Sequence, residues 1–281
     1  MLWERRMVDT ARGSFEVFIK GEGEPICVTH LYSEFNESGD YFAESLIGNN
    51  SVFLVNLRET GRSARAEKNH QLSMLESVLD LEAVRTTLGF DQWYFAGHST
   101  GGMLGLLYGV TFPERLTGLI LVGTAARDYT VSPACIYHEN HRHFHHMQEL
   151  MEALKKADLT PDQRTSLSQE RTKLSLHRPE YYDDFFNKPI QKKLSPIRLE
   201  FFSRELAIYD LTSKLHTCKC RVLVMCGRLD VQCPWEFSRE IQELIPGSKL
   251  ITYENSNHYP FLEERQLFLE DIHHFLTSAR R

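Results

Sequence analysis

The chain has no excess of positive charge. Among its 281 residues, 32 lysines and arginines face 38 aspartates and glutamates, so the formal net charge is −6 at pH 7. A nucleic-acid-binding protein calls for a basic face, and the charge balance therefore argues against a nucleic-acid partner. With 42% hydrophobic and 25% charged residues, the composition predicts a soluble globular protein long enough to bury a full core.

Long apolar runs are also missing. The first residues, Met1–Met7, lack the apolar core of a signal peptide, and no run is long enough to span a bilayer. The six cysteines are scattered, and the tightest pair, Cys218 and Cys220, is too close for an ordinary zinc knuckle. These absences predict a cytoplasmic protein with reduced thiols, no disulfide framework and no membrane partner.

The most informative segment joins an apolar run to a helical pattern. Residues Gly97–Gly101 read GHSTG, which matches the G-x-S-x-G nucleophile elbow. The run Trp93–Ala96 before it predicts a buried strand, and Gly102–Tyr108 after it predicts a helix. Ser99 is then expected at the carboxyl end of a sheet, beside free helix N–H groups that favour a developing negative charge. We predict that Ser99 is a nucleophile; the alternative is a small serine in a glycine-rich turn.

Two candidate partners follow Ser99 in the order Ser, Asp, His that elbow enzymes use. Asp230 follows the predicted strand Arg221–Cys226, and His258 follows the predicted strand Lys249–Tyr253. A serine needs a base to take its proton and an acid to orient that base. We therefore predict a catalytic triad of Ser99, Asp230 and His258. Either partner alone would also suit a solvated loop.

Apolar periodicity predicts strands and helices in alternation. We expect strands near 14–20, 26–30, 51–57, 93–97, 118–122, 221–226 and 249–253. We expect helices over 70–88, from the elbow to about 111, and over 235–245 and 261–276. This alternation predicts a mainly parallel sheet covered by helices on both faces. Between 125 and 203 the strand pattern disappears, and the segment is polar, charged and helix-like.

On these residues the chain resembles the α/β-hydrolase family, over nearly its whole length. Residues 25–30 look like the third strand of the family and its histidine, and residues 51–63 look like its D-x-R-G-x-G-x-S segment. The resemblance implies an α/β fold with a mainly parallel sheet and helices on both faces. It also implies a core of 1–124 and 204–281, a helical cap inserted at 125–203 over the active site, and no cofactor.

Within the family, the chain is most similar to the proline iminopeptidases, which implies action on N-terminal proline peptides. It departs from their pattern where glycines usually follow the histidine of the third strand, because Leu31 and Tyr32 follow His30 here. It also departs at the elbow, where His98 and Thr100 replace the usual Trp and Gly. A carboxylesterase, or a hydrolase of lactones or carbon–carbon bonds, uses the same triad and stays open as an alternative.

The resemblance also implies an oxyanion hole. One donor is the backbone N–H of Thr100, the residue after the nucleophile, and the second comes from the loop after the third strand. By alignment with the family that second donor is Tyr32, with Leu31 as the alternative. If this unusual loop distorts the hole, a ligand-sensing signalling module that retains the triad is favoured instead, since a fold does not fix a function.

Two features near the predicted cap stay open from the sequence. Glu200 and Glu205 are candidates for binding a substrate amine, although solvated surface acids are the simpler interpretation. His141 and His145 have the i, i+4 spacing of helical metal ligands, but no H-E-x-x-H motif is present. We therefore predict no metal, and a small molecule or short peptide as the substrate. The oligomeric state is not predicted.

Overall fold

The computed structural model describes residues 2–156 and 158–278. The strands are β1 (Glu4–Thr10), β2 (Gly13–Lys20), β3 (Glu24–Val28), β4 (Ser33–Glu34), β5 (Asn50–Val55), β6 (Trp93–His98), β7 (Leu116–Val122), β8 (Lys193–Leu194), β9 (Arg221–Gly227) and β10 (Lys249–Tyr253). Within the described residues, eight of them form one sheet in the order β1-β2-β5-β3-β6-β7-β9-β10, and β4 pairs with β8. Strand β2 is antiparallel to both neighbours, and every other neighbouring pair in the large sheet is parallel.

Helices cover both faces of this sheet. The α-helices are α1 (Tyr41–Glu44), α2 (Met74–Thr87), α3 (Thr100–Thr111), α4 (Phe144–Leu154), α5 (Pro161–Lys173), α6 (Tyr182–Phe185), α7 (Pro196–Glu205), α8 (Trp235–Leu244), α9 (Pro260–Glu263) and α10 (Arg265–Thr277). Successive strand residues point to opposite faces, so Phe95 packs with α2, α3 and α8, while its neighbour Ala96 packs with α1, α9 and α10. The predicted fold class is confirmed.

The short elements α1, β4 and β8 were not predicted, and three further differences have a clear physical reason. Strand β1 was not predicted, because most of its side chains are exposed and the sequence shows no apolar alternation there. Helix α2 begins at Met74 rather than near residue 70, because the side chain of Ser73 caps it by accepting from the N–H of Glu76 at 3.2 Å. The last predicted helix is interrupted at Glu264, which has φ −122° and ψ 48° and separates α9 from α10.

The segment between β7 and β9 contains α4 to α7 and the short strand β8. Its helical content agrees with the helix-like pattern, while the division of the chain into core and cap stays a prediction. Ala125, Ala126 and Tyr129 pack into the main hydrophobic cluster, so the chain is still part of the central packing where the cap was expected to begin.

Other expectations concern membranes, thiols and metals. No helix within 2–156 and 158–278 has the length and apolar character needed to cross a membrane, and all six cysteines are free thiols. No cluster of three His, Cys, Asp or Glu in the same described ranges could hold a metal ion. Helix α4 begins at Phe144, so His141 precedes it, and the i, i+4 spacing of His141 and His145 does not place them on one helical face.

Candidate active site

Ser99 occupies a strained turn between β6 and α3. Its backbone has φ 56° and ψ −123°, a conformation that costs energy for any residue with a Cβ. Its N–H donates to the carbonyl of Val122 at 2.9 Å. A Cβ on Gly97 would lie 2.3 Å from the backbone of Gly101, and one on Gly101 would lie 2.4 Å from the carbonyl oxygen of Thr29. The two glycines therefore allow the close approach of strand, turn and helix that this position requires.

His258 and Asp230 form a buried pair. Nδ1 of His258 lies 2.8 Å from Oδ2 and 3.0 Å from Oδ1 of Asp230, and their side chains are 2% and 0% exposed. Oδ1 also accepts from the backbone N–H groups of Gln232 and Cys233 at 2.8 and 2.9 Å, which holds the carboxylate in place. Because the carboxylate accepts, Nδ1 carries the proton, and Nε2 is left as the basic nitrogen.

The Val122–Gly123 peptide brings the serine and this pair to the same edge of the sheet. Val122 accepts from the N–H of Ser99. A Cβ on Gly123, which has φ 51°, would lie 2.9 Å from Oδ2 of Asp230 and 3.3 Å from Nδ1 of His258. None of the hydrogen bonds of the described residues joins Oγ of Ser99 to His258; such bonds are often long before substrate binds.

Two contacts that the sequence did not reveal hold His258. Nε2 of His98 lies 2.8 Å from the carbonyl of His258, to which it donates, and the two rings are 4.5 Å apart. Burial lowers the pKa of His98 well below its usual value, so the ring is neutral. The N–H of His258 donates to the carbonyl of Ser175 at 3.2 Å, just beyond α5. The only sequence signal for these contacts was His98, which stands at the elbow where the proline iminopeptidases usually have Trp.

The predicted oxyanion residues lie around His30. Burial lowers its pKa well below the usual value, so the ring is neutral. Its Nδ1 faces the N–H of Tyr32 at 3.4 Å, and its Nε2 lies 3.1 Å from Oγ1 of Thr100. Oγ of Ser33 lies closer to Nδ1, at 2.9 Å, so the Tyr32 N–H is the more distant of the two groups that face this nitrogen. The structure thus brings Thr100 and Tyr32 together, with the Tyr32 N–H already directed at a ring nitrogen.

The loop that carries Tyr32 is held by the segment around α7. The carbonyl of Tyr32 accepts from the N–H of Ser195 at 2.8 Å, and the carbonyl of Leu31 accepts from Nε of Arg198. Arg198 is 2% exposed, and nothing in the sequence marks it as buried. The pairing of β4 with β8 adds a further link. The position of the candidate oxyanion donor therefore depends on residues more than 150 positions later in the chain.

The acidic residues considered for amine binding are engaged elsewhere. Glu200 is exposed and pairs with Arg204 at 3.2 Å. The carboxylate of Glu205 accepts from the N–H of Met74 at 3.0 Å, at the start of α2. Both carboxylates therefore already have partners within the chain.

A buried carboxylate that the sequence analysis missed supports the histidine loop. Glu263 is 6% exposed and accepts from the backbone N–H groups of Asn257 and His177 at 2.7 and 2.6 Å. It thereby ties the loop before His258 to the chain that follows α5. Burial raises the pKa of Glu263 to about 7, although the N–H groups oppose this rise.

This raised pKa predicts a pH-dependent stability. Between the ordinary value of 4.5 and about 7, folded Glu263 keeps a proton that the unfolded chain has lost. The free energy of unfolding therefore falls as the pH rises through this window. Urea unfolding at about pH 5 and about pH 7.5 should show that wild type loses about 2–3 kcal/mol more than Glu263→Gln. Glu270→Gln, an exposed change on α10, should follow wild type; equal pH dependence in all three proteins would contradict this prediction.

The mainly parallel sheet, with its strained serine turn at the carboxyl edge of β6, defines an α/β protein of the hydrolase class. The sequence profile of the alpha/beta hydrolase fold family matches residues 29–265, and the chain belongs to this family. It is therefore an enzyme, a hydrolase, as predicted.

Three similar proteins illustrate the range within the family. The structure of an alpha/beta fold family hydrolase from Bacillus anthracis Sterne is 40% identical, with a TM-score of 0.93 over 97% of this chain and all of that one. The AB hydrolase superfamily protein YisY of Bacillus subtilis is 26% identical over 92% of this chain and 93% of its own. The proline iminopeptidase of Saccharolobus solfataricus is 25% identical over 78% of this chain and 73% of its own.

Proposed function

We propose that the protein is a serine hydrolase that cleaves a small ester or amide through an acyl-enzyme intermediate. The buried His258–Asp230 pair, with its 2.8 Å contact beside the strained Ser99 turn, carries the proposal. That arrangement supplies a nucleophile, a base and an acid that orients the base. The names of the similar proteins, which include hydrolases and a peptidase, agree with this chemistry.

In the first half of the reaction, Nε2 of His258 takes the proton of Ser99 while Oγ attacks the substrate carbonyl. Asp230 keeps the imidazole in the required tautomer and stabilises the imidazolium. The carbonyl oxygen gains negative charge, which the N–H of Thr100 and the N–H of Tyr32 stabilise. The Tyr32 N–H has to exchange its long contact with His30 for the oxyanion. Collapse of the intermediate expels the alcohol or amine, which receives the proton from His258.

In the second half, a water molecule takes the place of the leaving group. His258 removes its proton, the resulting hydroxide equivalent attacks the acyl carbon, and Ser99 leaves with the proton returned by His258. The products are a carboxylic acid and free enzyme. Apart from the substrate and this water, the groups that act in both halves are Ser99, His258, Asp230 and the two backbone N–H groups.

The positions of the acidic residues favour an ester over an N-terminal proline peptide. An aminopeptidase has to hold a free amine, and the two candidate carboxylates are engaged at α2 and α7. A lactone or a carbon–carbon bond adjacent to a carbonyl is a further substrate for the same triad. The free cysteines support the proposal of a cytoplasmic enzyme.

A fluorophosphonate probe tests the proposal. Oγ of Ser99 should attack the phosphorus, fluoride should leave, and peptide mapping should find the adduct on Ser99. Competition with p-nitrophenyl esters and with prolyl anilides then identifies the leaving-group class; we expect esters to compete better. Ser203→Ala, a change at an exposed serine, should label like wild type.

Failure of the probe to label Ser99 would favour a binding function over catalysis. Absence of labelling in folded protein would overturn the hydrolase proposal and support a ligand-sensing module. The contact between the Tyr32 N–H and His30 is the observation that favours this alternative, because it occupies a donor that an oxyanion needs. A sensor would react or bind about once, whereas an enzyme turns over repeatedly.

A further inference from the structure

The end of α5 is anchored to the candidate base. Ser175, two residues after this helix, accepts from the N–H of His258 at 3.2 Å, and its Oγ accepts from Nε2 of Gln232 at 2.9 Å. Arg171 lies in the last turn of the helix, four residues before Ser175. A cationic side chain is therefore placed about one helical turn from the residue that contacts His258.

Arg171 has an unused hydrogen-bond donor. Its Nε is buried and has no hydrogen-bond partner in the described part of the chain. Its guanidinium forms none of the ion pairs found within 4.0 Å among residues 2–156 and 158–278. An arginine stays charged in proteins, and a buried donor without a partner costs free energy. A bound anion would accept a hydrogen bond from Nε and would also balance the charge of the guanidinium.

Three tyrosines near the candidate active-site residues are affected by this charge. Tyr32 lies in the candidate oxyanion loop, 4.6 Å from the ring of His30, and Tyr259 lies 5.3 Å from the ring of His258. The third, Tyr137, donates to Oε1 of Gln232 at 3.0 Å. Burial raises the pKa of each phenol, and the nearby positive charge of Arg171 opposes that rise in all three.

A second cation lies nearby. Lys192 lines a cavity of about 10 Å³ together with His30 and His98. The Lys192 residue is exposed to solvent, yet the surrounding protein lowers the pKa of its ammonium. Such a shift is expected for a charged group that lies in a cleft. Asp40 lines the same cavity, but its Oδ1 accepts from the N–H groups that begin α1, at 2.9 and 3.1 Å. Asp40 therefore offsets the charge of Lys192 only in part.

We propose that the substrate carries a carboxylate in addition to the bond that is cleaved, and that Arg171, assisted by Lys192, binds it. The proposal rests on the hydrolase function proposed above and names its substrate class. Hydrogen bonds between arginine and carboxylate are charge-assisted and stronger than neutral ones. The protein as a whole carries a net charge of −6, so this positive region is a local feature of the site.

Matched ester pairs test the assignment. Mono-p-nitrophenyl adipate and p-nitrophenyl hexanoate share a six-carbon acyl chain and differ in the terminal carboxylate. A second pair, 4-butanoyloxybenzoate and its methyl ester, places the carboxylate on the leaving group. We expect wild type to prefer the anionic member of at least one pair. Arg171→Gln should lower kcat/KM for that member by about 10- to 100-fold and change the neutral member by less than about 2-fold.

Two variants control this comparison. Lys173→Gln makes the same change of charge on the same helix, at an exposed residue whose ammonium lies 5.4 Å from the ring centre of Tyr182. It should leave the preference unchanged. Arg171→Lys keeps the charge and should retain part of the preference, even if Arg171→Gln proves unstable in thermal unfolding.

A binding measurement separates this proposal from the hydrolase proposal. Ser99→Ala should bind monomethyl adipate in calorimetry, and the double variant with Arg171→Gln should bind it at least about 10-fold more weakly. Equal binding by the two proteins, or tighter binding of inorganic phosphate than of adipate, would overturn the carboxylate assignment. Full turnover by Ser99→Ala would overturn the hydrolase mechanism and leave the binding result standing.

Discussion

Replacing Ser99 with alanine should lower kcat/KM for a p-nitrophenyl ester by roughly 10⁵- to 10⁶-fold, as removal of the nucleophile does in a serine protease with a catalytic triad. The loss arises because no acyl-enzyme can form, while the fold keeps its packing. The measurement is steady-state hydrolysis on protein shown to be folded by thermal unfolding. Alanine relieves none of the strain at φ 56°, so the stability should stay close to that of wild type.

Variants of His258 and Asp230, the other two residues of the proposed triad, give rates against which this loss can be compared. His258→Ala should cost about as much as Ser99→Ala, and the double variant little more, because residues that act as a unit are not additive. Asp230→Asn should cost less, since His98 and Ser175 still hold His258 through its backbone. Wild-type rates from Ser99→Ala would contradict the assignment of the nucleophile.

Replacing Arg198 with methionine should damage both stability and turnover. The side chain is buried and donates to the carbonyls of Leu31 and Arg58 and to Oγ of Ser77. Methionine leaves the two carbonyls without this donor, while Oγ of Ser77 keeps its bond to the carbonyl of Ser73. We expect the free energy of unfolding to fall by about 2–4 kcal/mol. Burial lowers the pKa of Arg198 to about 10, and the negative charges of Asp80, Glu205 and Glu59 oppose this fall.

The effect of Arg198→Met on catalysis separates positioning from stability. Because Leu31 precedes Tyr32, a displaced loop should weaken the proposed second oxyanion donor, the N–H of Tyr32. We expect kcat to fall by about 10²-fold with little change in KM. The measurement is made at a temperature where the variant is fully folded. Arg204→Met, an exposed change on the same helix, serves as the control. A variant that is less stable but has wild-type kcat would show that Arg198 does not position the donor.

The fold was predictable because its signals are local. Apolar runs that end in a glycine-containing turn predict buried strands of a parallel sheet, and the elbow at Ser99 combines strand, turn and helix within a few residues. Asp230 and His258 each follow such a run, so their meeting at one edge followed from the topology alone.

The supporting contacts were not predictable, because they join segments that are distant in sequence through backbone atoms. Arg198 reaches carbonyls at Leu31 and Arg58, and Glu263 accepts from the N–H of His177. A carbonyl or an N–H is present at almost every residue, so no residue type marks the partner. The same reason hid the capping role of Glu205, whose distance from α2 in sequence gave it the appearance of a surface acid.

The most direct test of the central claim is mass spectrometry of the protein quenched during turnover of a p-nitrophenyl ester. We expect an adduct with the mass of the acyl group on the peptide that contains Ser99. His258→Ala should prevent the adduct from forming, because Ser99 then lacks its base. Continued turnover with no adduct on Ser99, or with an adduct on another residue, would contradict the account.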